Sequence, residues 1–367
     1  MSRILVVDGA GNLWGSERAL LDLLDAVEGT PVAVCCPPGR PLVPELEKRH
    51  VEVLPYFIYR LHEKGRLARL RAAIGVMRAC ARFRPDVIYL NQSGAFRITL
   101  LAAVLFGLPI VAHVRLHEDA AYLAKQKPKP WRLRAIVAIS ETVKAEIRRF
   151  KQLEAFPVHM IYDGYAASPP AQNDAALRVP GQIACVGRLD PAKGQHILIG
   201  ALGVLSKQGT PLKCLFAGAG ATHYWNELKE LTRRLRLEDA VVWLGFLNDV
   251  RPLMRSCSVL VCPSQREGLG RVIFEAWDAG CVPVVFGDGG GPAEIVRASG
   301  GGLIYADQTP DSLAAALQRA LALDDAEKAD LVAAGREWMA KNCHPSDYGI
   351  AMSAVLESAV VQSERVI

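Results

Sequence analysis

The sequence lacks an apolar run long enough to cross a membrane as a helix. Its longest run, residues 98–114, is interrupted by Gly107 and Pro109, which is typical of a helix followed by a strand. The N-terminus, MSRILVVDG, has a short apolar run and no small-residue cleavage pattern after it. We therefore expect a first strand there rather than a signal peptide, and a protein of the cytoplasm.

The sequence also lacks a cysteine pattern typical of a disulfide framework or a zinc knuckle. The nine cysteines are scattered, and several lie inside apolar runs, namely Cys35, Cys185, Cys214 and Cys281. This distribution is typical of reduced, buried thiols.

Positive charge is concentrated in one part of the chain. The net charge is +5, but residues 60–151 hold 19 Lys and Arg against 6 Asp and Glu, a net of +13 that leaves −8 elsewhere. Anionic partners should therefore meet the first half of the chain, whether lipid headgroups, nucleic acid or an acidic acceptor. Nucleic acid is disfavoured because no groove-reading module or aromatic-interleaved single-strand motif is present.

Two segments carry most of this positive charge. Residues 65–84 are predicted to form a helix with one apolar face, consisting of Leu67, Leu70, Ile74, Met77 and Ala81, and arginines on its other faces. A second cluster combines one aromatic with five cations: Lys125, Lys127, Lys129, Trp131, Arg132 and Arg134. These segments are either solvated surface or a site of peripheral attachment to an anionic bilayer, at the inner face of a plasma membrane.

Apolar strand-like runs alternate with amphipathic helices along all 367 residues, which predicts parallel, doubly covered sheets. The predicted fold class is α/β, with two Rossmann-like, doubly wound domains. The uncharged segment 166–172 separates a domain at residues 1–170 from one at 171–344. Residues 345–367 are predicted to form a final helix that packs back on the first domain.

The stretch VGRLDPAKGQ, residues 186–195, contains the first candidate ligand site. Asp190 is a good N-cap and Pro191 a good first residue, so a helix should begin there. Arg188 and Lys193 then lie at a helix N-terminus, where cations oppose the dipole unless an anion lies between them. A diphosphate would be such an anion, and a solvated surface pair is the alternative.

The second candidate ligand site lies in residues 267–294, EGLGRVIFEAWDAGCVPVVFGDGGGPAE. A helix should begin near Arg271 and end at Gly280, with Glu267 on the preceding loop and Glu275 on the helix. Both carboxylates would then border one space that suits a ligand with hydroxyl groups. The alternative is a local ion pair of Glu267 with Arg271.

Two further Gly-rich stretches follow strands. DGAGNLWGSE, residues 8–17, does not match the dinucleotide spacing GxGxxG, and it is either a turn with Ser16 capping the next helix or a ligand contact. FAGAGATHYWNEL, residues 216–228, is either a plain turn or part of a site.

These motifs together resemble those of family 4 glycosyltransferases, which are retaining enzymes that use nucleotide sugars. The likeness is strongest in three segments: VGRLDPAKG, PSQREGLGRVIFEAWDAGCVPVV and GGGPAE. It extends over nearly the whole chain through two further segments, WGSER and AIVAISETVK. The resemblance implies the GT-B fold, in which two Rossmann-like domains face a central cleft. The second domain would hold the nucleotide sugar and the first the acceptor.

The resemblance also implies roles for individual residues. Arg188 and Lys193 would bind the diphosphate, Glu267 would lie beside the donor sugar, and Glu275 would hold the ribose hydroxyls. Further donor-binding positions are Gly15, His113, Gly187, Leu269 and Gly270.

Four residues depart from the usual family pattern. Trp14 stands where a glycine is common, Tyr89 and Asn91 stand where histidines are frequent, and Asp163 replaces an asparagine. The first three lie on the side implied for the acceptor, so they bear on its identity more than on the donor.

We therefore expect a glycosyltransferase that moves a sugar from a UDP-, GDP- or dTDP-sugar to a glycan or polyprenyl-linked acceptor, in assembly of a bacterial polysaccharide, lipopolysaccharide or exopolysaccharide. No Asp-x-Asp occurs in the sequence, so neither a catalytic metal nor another cofactor is expected. The alternatives are a nucleotide-sugar epimerase of GT-B type and a non-catalytic protein that binds sugar nucleotides.

Overall fold

The computed structural model describes residues 2–56, 65–168 and 178–364. It divides into unit 1, Met1–Ala166 with Cys343–Ile367, and unit 2, Ala167–Asn342. The predicted domain boundaries at 170/171 and 344/345 fall within a few residues of these divisions. Part of the predicted linker, residues 169–172, lies outside the described residues.

Unit 1 contains a parallel sheet of seven strands in the order β3-β2-β1-β4-β5-β6-β7. The strands are β1 (Ile4–Val7), β2 (Val32–Cys36), β3 (Glu52–Pro55), β4 (Val87–Leu90), β5 (Ile110–Val114), β6 (Leu133–Ala138) and β7 (Val158–Met160). The apolar runs of the sequence predict the other strands of this sheet but not β3. This edge strand is short and carries Glu52 and Pro55, so it has no continuous apolar run to mark it.

Helices cover both faces of this sheet, as expected for parallel strands without an exposed face. They are α1 (Gly15–Ala26), α2 (Leu42–Lys48), α3 (Arg66–Phe83), α4 (Phe96–Leu105), α5 (His117–Lys125) and α6 (Glu141–Arg148). Every residue of β1, β4 and β5 is buried between them.

The helix predicted at residues 65–84 is present as α3, and leucines of its predicted apolar face are exposed. The side chains of Leu67 and Leu70 are 73% and 50% exposed, while small residues such as Ala72 and Val76 are buried. At Gly75 the helix approaches the sheet closely, since a Cβ there would lie 2.6 Å from the Tyr56 Cβ. Close approach requires small residues, so the leucines face outward.

Unit 2 contains a parallel sheet of six strands in the order β10-β9-β8-β11-β12-β13. The strands are β8 (Gln182–Val186), β9 (Lys213–Ala217), β10 (Val241–Gly245), β11 (Val259–Cys262), β12 (Val282–Phe286) and β13 (Leu303–Tyr305). The helices are α7 (Gln195–Lys207), α8 (Thr222–Arg234), α9 (Arg251–Arg255), α10 (Val272–Asp278), α11 (Gly291–Ser299), α12 (Pro310–Ala322) and α13 (Asp325–Asn342). Strands β8 and β11 are direct neighbours, which places the ends of two motif-bearing segments side by side.

The last helix, α14 (Pro345–Glu364), belongs to unit 1. It packs against α1 and strands β4, β5 and β6, and its Tyr348, Met352 and Val355 join the buried core of that unit. No helix among the described residues has the length and apolarity needed to cross a membrane. All nine cysteines are buried free thiols, as predicted from their positions.

A buried ion pair holds the ends of β5 and β7 in unit 1. The Arg115 Nη1 atom lies 2.8 Å from the Asp163 Oδ1 atom, and the two side chains are 5% and 0% exposed. Such a pair contributes little net stability compared with apolar packing, but loss of one partner leaves a buried charge without its counterion.

We expect Asp163→Ala to lower the free energy of unfolding by about 3–5 kcal/mol, because the buried Arg115 guanidinium would lose its carboxylate. The matched control is Glu52→Ala, which removes the partner of the exposed Arg82 and should cost at most about 1 kcal/mol. Calorimetric unfolding measures both. Equal, small losses in the two variants would contradict a structural role for the buried pair.

Candidate functional site

The loop after β8 has the start predicted from sequence. The Asp190 side chain accepts a hydrogen bond from the Ala192 N–H at 3.0 Å, and Pro191 opens a short 3₁₀ turn that ends at Lys193. Gly194 then adopts a left-handed conformation with φ +70°, and α7 begins directly after it. The predicted Asp190 cap and Pro191 start are confirmed for this 3₁₀ turn, whereas the α-helix itself begins later than predicted, at Gln195.

Gly194 lets this turn rest against the loop that follows β11. A Cβ atom at this position would lie 2.1 Å from the Pro263 carbonyl oxygen, so no other residue fits without movement. The same two segments are joined by a hydrogen bond from the Gln265 N–H to the Ala192 carbonyl, at 2.9 Å. Gln308 donates to the Pro263 carbonyl at 2.6 Å and supports the contact from a third segment.

The loop that carries Glu267 is held from its other side by the Gly-rich segment before α11. The Glu267 N–H donates to the Gly289 carbonyl at 2.8 Å, and its carbonyl accepts from the Gly291 N–H at 3.0 Å. A Cβ at Gly291 would lie 2.3 Å from the Gly268 carbonyl oxygen. The glycines of GGGPAE therefore permit a close approach of two backbones.

Helix α10 begins at Val272, with Arg271 as its N-cap and Gly280 in a left-handed conformation just after its end, as predicted. Glu275 lies in its first turn and is partly exposed. Leu269 is buried, and Gly270 has φ +79°.

The charged side chains of unit 2 meet at the carboxyl ends of β8 and β11. Lys193 forms an ion pair with Glu267, whose side chain is 16% exposed, so this carboxylate pairs across loops and not with the local Arg271. The Arg188 Nη2 atom lies 3.1 Å from the Asp190 Oδ2 atom, and both side chains are more exposed. Two cations and two carboxylates thus border one sheet edge, where parallel sheets bind ligands.

The Gly-rich stretch FAGAGATHYWNEL, residues 216–228, begins at the end of β9 and supports this sheet edge through its backbone. A Cβ at Gly218 would lie 1.9 Å from the Gly187 carbonyl oxygen, and one at Gly220 would lie 2.0 Å from the Leu189 carbonyl oxygen. The Leu189 N–H donates to the Ala219 carbonyl at 3.0 Å. These glycines therefore allow the Arg188 loop to lie against its neighbour.

In unit 1, the loop after β1 leads into α1 without a cap from Ser16. Trp14, not Ser16, is the N-cap of α1, and its N–H donates to the Glu17 carboxylate at 3.0 Å. Ser16 instead accepts a hydrogen bond from Gln92 at 2.8 Å. Of the two alternatives for this stretch, the Ser16 cap is wrong, because Gln92, which follows the neighbouring strand β4, binds this hydroxyl. Gly15 is exposed as the first residue of α1.

Two buried carboxylates lie beneath this loop. Burial and, to a smaller extent, the nearby Asp8 carboxylate raise the pKa of Glu17 to about 7. Burial also raises the pKa of Asp8, against hydrogen bonds from Asn91, Gly11 and Ala10 that favour its ionised form. Glu17 is therefore about half protonated near neutral pH, which reduces repulsion between the two.

His113 is fully buried at the end of β5. Its Nδ1 atom lies 2.7 Å from the Tyr89 hydroxyl, and its Nε2 atom has no hydrogen-bond partner among the described residues. Burial, with a smaller effect of the Arg115 charge, holds the pKa of His113 well below its usual value. The imidazole is therefore neutral, and its role toward a ligand stays a prediction.

Two departures from the family pattern are explained by Arg115, a residue that sequence analysis did not single out. Its Nη2 atom donates to the Asn91 Oδ1 atom at 3.0 Å, and its Nη1 atom donates to Asp163. Asparagine at 91 and aspartate at 163 thus provide acceptors for a buried guanidinium. The position of Arg115 directly after the buried strand β5 was the sequence signal that could have identified it as a buried cation.

The predicted site residues divide between the units. Two of them, Gly15 and His113, lie in unit 1. The other seven lie in unit 2: Gly187, Arg188, Lys193, Glu267, Leu269, Gly270 and Glu275. Within the described ranges, no group of three His, Cys, Asp or Glu side chains is placed to share a metal ion.

Comparisons with known proteins agree with this arrangement. A model of Glycosyltransferase Family 4 matches residues 15–168, and a model of glycosyl transferases group 1 matches residues 177–338. Two structures of HepE from Anabaena, one with UDP and glucose and one with UDP-glucose, superpose with a TM-score of 0.83 at 22% and 23% identity. Each superposition covers 98% of this chain and 100% of the other.

Curated relatives match parts of the chain. A GDP-mannose-dependent alpha-(1-6)-phosphatidylinositol monomannoside mannosyltransferase of Mycobacterium tuberculosis is 30% identical over 200 residues, 51% of each chain. A lipopolysaccharide core biosynthesis mannosyltransferase of Rhizobium leguminosarum bv. viciae is 26% identical over 254 residues, 67% of this chain and 71% of the relative. The chain spans about half the length of the first curated relatives that it matches.

The two family models together cover most of the chain. One matches the region of the seven-stranded sheet and the other the region of the six-stranded sheet, and the motif residues lie in these two regions. The chain therefore belongs to the GT-B glycosyltransferases of the family 4 type.

Proposed function

We propose that this protein is a retaining glycosyltransferase that moves a sugar from a nucleotide-diphosphate sugar to a glycan or lipid-linked acceptor. The observation that carries the proposal is the meeting of Arg188, Lys193 and Glu267 at one sheet edge of unit 2, with Glu275 on the adjoining helix. Cations suit a diphosphate, and carboxylates suit the hydroxyl groups of ribose and sugar.

The proposed mechanism follows from the charges that develop when the sugar–phosphate bond breaks. Negative charge grows on the leaving diphosphate, where Arg188 and Lys193 would stabilise it, and positive charge grows at the anomeric carbon. The acceptor hydroxyl would attack from the face that the diphosphate leaves and pass its proton to the departing phosphate oxygen, which retains the configuration without a covalent intermediate. The two cations would provide the positive charge that a divalent ion supplies elsewhere.

The two carboxylates are assigned different parts of the donor. Glu275 would accept hydrogen bonds from the ribose hydroxyls, and Glu267 would accept them from the sugar. Leu269 and Gly270 would contribute backbone groups, and Gly187 would leave room beside the diphosphate. Gly15 and His113, which lie in unit 1, stay donor-binding predictions that the family resemblance implies.

The proposed acceptor belongs to a bacterial polysaccharide, lipopolysaccharide or exopolysaccharide. This assignment draws on relatives that are named for phosphatidylinositol mannoside and lipopolysaccharide core synthesis. Both names describe acceptors that carry lipid, so the proposed reaction takes place at a membrane surface.

Peripheral contact with an anionic membrane is the second part of the proposal. The basic surface comprises α3, α4 and residues 125–134. Residues 66–84, 96–106 and 125–134 hold six, one and five Lys or Arg and no Asp or Glu. Helices α3 and α4 pack together, and Arg97 and Lys125 line one pocket of about 360 Å³, so the three segments adjoin.

Large apolar side chains are exposed within the same basic surface: Leu67, Leu70, Leu101, Val104, Leu105, Phe106 and Trp131. The Arg132 guanidinium lies over the Trp131 ring, 4.7 Å from its centroid. Cations that approach lipid phosphates beside apolar side chains that enter the interface are typical of peripheral membrane attachment. We place the protein at the inner face of the plasma membrane.

A screen of UDP-, GDP- and dTDP-sugars by thermal shift should identify a donor, because a ligand at a hundredfold excess over its dissociation constant stabilises the native state by about 2.7 kcal/mol. With that donor and an acceptor extract, the expected products are the free nucleotide diphosphate and a glycosylated acceptor. Activity should persist with a chelator present. Isomerised sugar without released nucleotide would establish the epimerase, and binding without turnover the non-catalytic alternative.

Arg188→Ala and Lys193→Ala should each lower kcat by about a hundredfold, because each removes a cation from the leaving diphosphate. Circular dichroism should show an unchanged fold. Arg233→Ala is the control, since Arg233 is an exposed cation of the same unit that pairs with Glu230 on α8. Near-normal turnover in both site variants would remove the assignment.

Vesicles of phosphatidylcholine that contain phosphatidylglycerol should sediment the protein, and vesicles of phosphatidylcholine alone should not. Each cation near an anionic surface contributes about 1 kcal/mol, so Arg97→Glu with Lys125→Glu should weaken binding at least about tenfold. Lys229→Glu with Arg233→Glu, on α8 of unit 2, is the charge-matched control. Equal weak binding to both kinds of vesicle would refute the membrane contact.

A further inference from the structure

Lys193 and Glu267 pair across two loops whose backbones are already joined. The Gln265 N–H donates to the Ala192 carbonyl at 2.9 Å, one residue before Lys193 and two residues before Glu267. Their side chains are 24% and 16% exposed, so the pair is partly shielded from water. It is therefore held by the fold of unit 2 and does not depend on two freely moving surface side chains.

This pairing creates a competition at the proposed donor site. A diphosphate that binds Lys193 takes the ammonium group away from Glu267 and brings negative charge close to its carboxylate. The lost attraction and the new repulsion both oppose binding, and partial shielding strengthens both. A ligand that offers hydroxyl groups to Glu267 compensates, because a carboxylate accepts hydrogen bonds from hydroxyls.

We propose that Glu267 determines the specificity of this site for sugar-bearing nucleotides over free nucleotide diphosphates, by competing for Lys193 with ligands that bring no sugar hydroxyls to its carboxylate. The inference rests on the proposed function and adds a second role to Glu267. The donor satisfies both members of the pair at once. The product nucleotide, which has lost its sugar, leaves the carboxylate unsatisfied, and its release is favoured.

The other ion pair of the site provides an internal comparison. Asp190 pairs with Arg188, but its carboxylate also caps the 3₁₀ turn by accepting from the Ala192 N–H. In the proposed donor pose it serves no sugar hydroxyl. Removal of its charge should therefore affect ligands with and without the sugar by the same factor, whereas removal of the Glu267 charge should change their ratio.

The test is calorimetric titration of Glu267→Gln with UDP and UDP-glucose and with GDP and GDP-mannose, using the pair that binds the unsubstituted protein. We expect the nucleoside diphosphate to bind roughly fivefold more tightly than to the unsubstituted protein, the factor expected from loss of a competing ion pair. The sugar nucleotide should bind no more tightly, so the preference for it falls.

Asp190→Asn is the matched control, because asparagine caps a helix as well as aspartate does. It should change the affinities for both ligands by one factor. In a Lys193→Met background, Glu267→Gln should no longer improve binding of the nucleoside diphosphate, since the competition requires the ammonium group.

Each result distinguishes this inference from the proposed function. Unchanged or weaker binding of the nucleoside diphosphate to Glu267→Gln, with binding by the unsubstituted protein intact, overturns the inference and leaves the proposed function standing. Improvement that persists without Lys193 overturns it as well. A protein that binds neither these four nucleotides nor dTDP or a dTDP-sugar overturns the proposed function and the inference together.

Discussion

The site of unit 2 depends on one close backbone contact, that of Gly194 with the Pro263 carbonyl. Because glycine has no side chain and adopts the left-handed conformation readily, the turn after β8 lies directly on the loop after β11. This contact brings Lys193 to Glu267. Glycines at 218, 220 and 291 permit equally close approaches of the neighbouring loops. The first role of the Gly-rich stretches is therefore to let these loops pack together. The charged side chains acquire their positions from that packing.

The two sheets use their carboxyl edges differently. In unit 1 the charges at this edge are buried and satisfied internally, with Arg115 held by Asp163 and Glu17 held by Gln92. In unit 2 the charges remain partly exposed and pair across loops. Buried, satisfied charges fix a structure, whereas partly exposed charges can exchange partners with a ligand at lower cost. This difference supports the proposed donor site in unit 2.

In our proposal unit 2 binds the donor, and the surface of unit 1 contacts the membrane that carries the acceptor. Small residues on the inner side of α3 allow it to approach the sheet and turn its leucines outward, beside arginines. A surface that combines cations with apolar side chains suits a lipid-linked acceptor. A donor site that releases free nucleotide readily suits an enzyme whose product must leave before the next donor binds.

The sequence by itself determined what depends on near neighbours in the chain: most strands, the Asp190 cap with Pro191, and the limits of α10 at Arg271 and Gly280. Only the tertiary structure decided which groups meet across long separations. Lys193 and Glu267 are 74 residues apart, Arg115 and Asp163 are 48, and Ser16 and Gln92 are 76. Each pair joins segments that follow strands of one sheet, so the sheet order brings them together: β8 and β11 are direct neighbours, as are β1 and β4, and β5 and β7 flank β6. The outward leucines of α3 likewise follow from how closely that helix approaches its sheet, which no local pattern encodes.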